Sequence, residues 1–186
     1  MPLLCLLMVL PMPARADPWC ETLWLTRNAI FHRAGQCFAS PLGQALFDNS
    51  RCIGTAQLAA ADAAAVADLR RMETERGCRV ATDRAPSARM RAEAARLARL
   101  RDIPVPDHFG WACLGYLGAG LTLRSGASFD SPVTGQAMAG TMIYSEHLLR
   151  NGWAFLVVTA VPGGPALAEG WTQDRIARGQ CREEAG

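Results

Sequence analysis

Cysteine placement constrains this chain more than any other feature. Seven cysteines occur in 186 residues, and no two of them stand in a C-x-x-C pair. Zinc ribbons and thioredoxin-like redox sites therefore lack their characteristic spacing. Cys5 stands apart, inside an apolar run of eight residues, Leu3 to Leu10, followed by Pro11, Pro13 and the A-x-A sequence Ala14-Arg15-Ala16. A run this short does not cross a bilayer core, which takes about 20 apolar residues as a helix. It matches the apolar region of a secretory signal peptide. Residues 1–16 are therefore expected to be a signal peptide, the chain periplasmic or secreted, and a stable membrane span absent. Removing Cys5 leaves Cys20, Cys37, Cys52, Cys78, Cys113 and Cys181, an even set in an oxidising compartment, which reads as disulfides.

Segment boundaries narrow the pairing. From Asp17 to about Thr82 the pattern is helical, with seven acidic residues against seven arginines. Asp17 is placed to cap a first helix, with Pro18 at a position that has no N–H to lose. Trp19, Leu23, Trp24, Ile30, Phe31 and Ala34 form one wide apolar face, and Gly35 ends the helix. Ser40-Pro41 starts a short second helix that stops at Asn49. A third is expected over 57–76, with Gly77 as its stop. A Cys37–Cys52 bond would clasp the short helix, and Cys20–Cys78 would tie the third helix to the first. Such clasps suit a small helical unit, whose core is marginal by itself.

Residues 83–104 carry six arginines against three acids and read as a connecting helix from Ser87 to about Asp102. All 19 basic residues are arginine, which fits codon preference better than a demand for guanidinium. The formal net charge of +2 is too mild to imply nucleic acid. From residue 105 onward, short β-branched and aromatic runs alternate with Gly, Pro and Asn turns, the pattern of a small β-barrel. Cys113–Cys181 would join its two ends.

The stretch from Arg27 to Phe38 (RNAIFHRAGQCF) resembles the YARHG domain of exported bacterial proteins. Phe31 stands for the tyrosine, Arg33 for the arginine and Gly35 for the glycine. Ala34 takes the histidine's place, and His32 lies two residues earlier. The resemblance covers roughly residues 19–79. Leu121 to Ser128 (LTLRSGAS) resembles the opening of bacterial SH3-like domains. Pro132-Val133-Thr134-Gly135, Ala139-Gly140-Thr141, Asn151-Gly152-Trp153 and Glu169-Gly170-Trp171 follow in that family's order. Ala127 replaces a proline, and Thr159 to Ala168 is a longer insertion. The residue patterns and these resemblances together predict an α+β chain: a signal peptide (1–16), a small disulfide-clasped helical YARHG-like domain (17–82), a linker helix (83–104), and a C-terminal SH3-like small β-barrel (105–186).

No catalytic apparatus is legible. His32, His108 and His147 have no metal-ligand partner at helical spacing, and paired cysteines leave no nucleophilic thiolate. No G-x-S-x-G, P-loop or dinucleotide fingerprint occurs. No enzyme activity, metal or cofactor is expected. The SH3-like resemblance implies recognition of a cell-wall peptide or glycan. Candidate contacts are Phe129 and Asp130 after the R-S-G motif, with Tyr144, Trp153 and Trp171, and Arg124 as a carboxylate partner. The tryptophans serve a barrel core equally well, and Arg124 can fix its own loop through backbone carbonyls. The alternative function is a structural or inhibitory protein that binds another exported protein through its helical half, where Arg27 and Asn28 are candidates.

Overall fold

A computed structural model describes residues 17–177 and 179–186. The signal-peptide segment lies outside the described residues. Four helices come first: α1 (Pro18–Arg33), α2 (Pro41–Leu46), α3 (Ala60–Arg76) and α4 (Ala88–Ala98). Seven strands follow: β1 (Pro106–Tyr116), β2 (Leu121–Arg124), β3 (Val133–Ala137), β4 (Met142–His147), β5 (Ala154–Thr159), β6 (Ala166–Thr172) and β7 (Cys181–Ala185). The class is α+β, with helices and sheet segregated along the chain.

Local start and stop signals work as polar chemistry requires. The Asp17 side chain accepts the Trp19 N–H, and Ser40 accepts that of Gly43. Gly77, at φ 68°, closes α3 in a left-handed conformation that costs glycine little. Three boundaries differ from expectation. α2 ends at Leu46 rather than at Asn49, because Phe47 is already extended and the Asn49 side chain is taken by the backbone of Phe38. α3 begins at Ala60 rather than residue 57, because the Gln57 N–H is engaged by the carbonyl of Ala34 at the end of α1. α4 ends at Ala98 rather than near residue 102. There the Arg33 guanidinium takes the carbonyls of Leu97, Leu100 and Arg101, and the Arg101 N–H turns to Ser125.

All three disulfides form as the segments suggested: Cys20–Cys78, Cys37–Cys52 and Cys113–Cys181, with Cα separations of 5.3, 5.0 and 5.3 Å. These distances lie in the ordinary range for unstrained bridging.

The sheet is antiparallel, in the order β3-β2-β6-β5-β4-β1-β7. The SH3-like closed barrel expected from the sequence is not what forms. Among the described residues, the edge strands β3 and β7 do not pair with one another. The reason is visible in β2, which is four residues long and registers with β6 only at Arg124↔Trp171. Its hairpin with β3 is a poor continuation of the ladder, and the helices cover a face that a barrel would seal for itself. Phe155 and Trp171 bury against Leu23, Leu69, Met90, Leu97 and Ile103, in one core that runs through both halves of the chain. Leu156 and Val158 point to the other face, where Cys113, Tyr116, Leu123 and Ile143 form a second cluster. The period-two alternation of β5 thus feeds two different cores.

Polar links reinforce the seam between helices and sheet. Asp102 accepts the Trp171 indole N–H through its carbonyl (3.0 Å) and the Ala127 N–H through its carboxylate (2.8 Å). Arg150 bridges from the sheet half to Asp62 of α3 at 2.8 Å. Within the helical part, Glu21 of α1, almost fully buried, binds both Arg84 and Arg89, at 2.5 and 2.6 Å. Burial opposes its charge, yet the two arginines outweigh that and hold its carboxyl below the usual range.

Candidate functional site

The side chains singled out from the sequence fall into separate places. Arg124 donates to the Ser131 carbonyl at 2.9 Å and so braces the loop between β2 and β3. Phe129, in that loop, is 68% exposed and meets the edge of Trp153 at 4.9 Å. Asp130 beside it is exposed, and its backbone N–H donates to the Ser128 hydroxyl. Trp153 and Trp171 are only 5% and 1% exposed, in the core shared with the helices. Tyr144 lies on β4, where its hydroxyl accepts from the Gly163 N–H at 3.4 Å. The structure therefore brings Phe129, Asp130 and Trp153 together, with Arg124 bracing the same loop, and leaves Tyr144 apart from them. In the helical half, Arg27 pairs with Glu73 at 3.0 Å and Asn28 donates to the Trp24 carbonyl at 2.7 Å, both within that half.

A more enclosed site lies at the seam itself. A cleft of about 350 Å³ opens between α1, α4 and the β1–β4 pair, lined by Trp19, Thr22 and Thr26, by Glu93 and Arg96, and by Pro104, Asp107, His108, Glu146 and His147 among others. A bulge builds its mouth. β1 pairs with β4 at Pro106↔His147 and resumes at Trp111↔Ser145, so Asp107 to Gly110 stand opposite Glu146 alone. The surplus residues are pushed off the ladder, as bulges do where a sheet must re-aim side chains. The bulge sets the His108 ring 4.6 Å from the indole of Trp19. A Cβ at Gly110 would meet the Glu146 side chain at 3.0 Å, so glycine here lets that carboxylate lie over the bulge.

The electrostatics of the cleft are one-sided. Three carboxylates (Glu93, Asp107, Glu146) line it with one guanidinium, Arg96. Arg96 is already committed, to Glu93 at 2.6 Å and to Glu169 at 2.7 Å. Burial works against its charge, but the two glutamates more than compensate and raise its pKa above the ordinary arginine value. No basic side chain is within ion-pair distance of Asp107 or Glu146 among the described residues. Burial, helped by the positive charge of Arg96, pushes the His147 imidazole down to about 3, so it is neutral at ordinary pH. Two polar atoms of the lining, Trp19 Nε1 and His147 Nδ1, are shielded from solvent with no hydrogen-bond partner among the described residues. Most buried polar atoms in folded proteins are paired, and leaving one unpaired costs about 1–3 kcal/mol.

Sequence reasoning missed this cleft. Trp19 reads as one member of an apolar helix face, and His108 and His147 read as histidines without partners. The one local signal was Ile103-Pro104-Val105-Pro106 ahead of Asp107-His108-Phe109-Gly110, where prolines and a glycine interrupt a strand pattern. Which element this bulge would face could not be read from it.

Against known families, residues 77–186 match the model of a domain of unknown function, DUF4453, and residues 7–74 match the YARHG domain. The C-terminal part thus carries DUF4453 rather than an identified bacterial SH3-like domain, in keeping with the open sheet. No curated protein and no solved structure matches the chain.

Proposed function

We propose that this chain, which belongs to the DUF4453 family, is a non-catalytic exported binding module that recognises a peptide or glycan of the cell envelope. The observation that carries this reading is the seam cleft, a concave site of aromatic faces with a few convergent polar groups. Its walls belong to rigid elements: α1, tied by Cys20–Cys78, and β1, tied by Cys113–Cys181. Rigidity of this kind lowers the ordering cost of binding. Three disulfides fit an extracellular or periplasmic protein, and no helix among the described residues is long and apolar enough to cross a membrane. Every described cysteine is bonded, so the described residues offer no thiolate for catalysis. The exposed Phe129 beside the exposed Asp130 lends support to recognition of an envelope ligand.

The test uses the whole chain, because helices and sheet share one core and neither half is shown to fold alone. Purified peptidoglycan sacculi should pellet the wild-type protein. His108→Ala, a change at an exposed ring, should reduce that retention. Absence of retention for the wild type refutes the proposal.

A further inference from the structure

The cleft's charge says which group of a ligand it takes. Asp107 and Glu146 face it without a cationic partner among the described residues, and His147 is neutral and does not balance them. The carboxylates share the cleft with Trp19, which packs against His108 and whose indole face attracts a cation through the ring quadrupole. The unpartnered Trp19 Nε1–H can only donate, and an oxygen acceptor is its complement once the indole turns to admit it, since the atom is shielded as the cleft stands. An ammonium with a carbonyl oxygen nearby satisfies all three features. An anionic ligand would meet only Arg96, whose hydrogen bonds already go to Glu93 and Glu169.

We infer that the seam cleft binds the side-chain ammonium of a diamino-acid residue in an envelope peptide, with Asp107 and Glu146 as its carboxylate partners and Trp19 as its aromatic wall. The inference rests on the envelope-binding proposal and gives its ligand a chemical class.

Nα-acetyl-lysine amide is the probe, with Nα-acetyl-norleucine amide as its uncharged counterpart, titrated into the full chain while the Trp19 indole N–H resonance is followed. The lysine probe should produce a saturable shift with an affinity at least about tenfold better than norleucine. The double variant Asp107→Asn/Glu146→Gln should lose about tenfold for lysine and leave norleucine unchanged. Its melting temperature, measured alongside, should stay close to wild type, since neither carboxylate makes an ion pair within the fold. Equal binding of both probes, or no shift with either, overturns the inference. Retention on sacculi whose amines have been acetylated, equal to that on untreated sacculi, overturns it too while sparing the envelope proposal. Lysine binding without sacculus retention does the reverse.

Discussion

His147 makes the stability of this protein depend on pH in a window where its carboxylates do not. An imidazole ordinarily titrates near 6.5, and burial beside Arg96 pushes this one to about 3. Between those values the unfolded chain binds a proton that the folded chain rejects, so stability falls as the pH drops from about 6.5 towards 3. At pH 5 the loss relative to pH 7 is on the order of 2 kcal/mol, from the shift His147 shows at its ordinary pKa. For a chain of this size that corresponds to a fall in melting temperature of roughly 4–8 °C. Glu21, Asp17 and Asp48 are held below their ordinary values, so their stabilisation is intact above about 4.5 and is lost only at lower pH. The pH 5–7 interval therefore isolates the histidine. Thermal unfolding of the wild type and of His147→Gln should be followed by circular dichroism across it, with disulfides intact. The glutamine variant should start lower at pH 7, because its amide fills the site less well, but should lose much less on acidification. Parallel decline of the two proteins would refute the argument and mean that His147 accepts a proton in the folded state.

Three further outcomes follow from particular contacts. Arg33→Lys should cost about 2–3 kcal/mol in urea unfolding, because an ammonium cannot reproduce the fork that takes three carbonyls at the end of α4. Replacing Cys37 and Cys52 together by serine should cost about 3 kcal/mol and replacing Cys113 and Cys181 about 4, since the closed loops span 15 and 68 residues; the reverse order of midpoints would count against loop entropy as the cause. Gly126→Ala should destabilise by about 1–3 kcal/mol, because its Cβ would lie 2.6 Å from the Asp102 carboxylate that holds Ala127; a neutral calorimetric result would show that Asp102 shifts freely.

The helices were legible because their boundaries are set by chemistry within a few residues. Asp17, Ser40 and Gly77 each satisfy or release backbone groups of their own helix, whatever the rest of the chain does. The boundaries that moved were those decided by partners outside the helix, Phe38 for the end of α2, Ala34 for the start of α3 and Arg33 for the end of α4. The disulfides were legible for a related reason, since each pair closes a segment whose ends the local pattern already marked. Trp153 and Trp171 were legible as large aromatic residues of the sheet, but the surface they bury against was not. A period-two pattern says which residues share a face and nothing about what covers it.

By itself the sequence determined the framework: four helices followed by short strands, and an even set of six cysteines for which it favoured, among fifteen possible pairings, the three bonds observed. Tertiary structure alone decided that the sheet stays open and that its Phe155–Trp171 face is covered by helices, in a core continuous with theirs. It also decided the seam cleft, because Trp19, Glu93, Asp107 and Glu146 come from four different elements. Capping and turn chemistry act over a few residues and leave a local mark. Burial is non-directional, so the partner of an apolar face is settled only when the whole chain has packed.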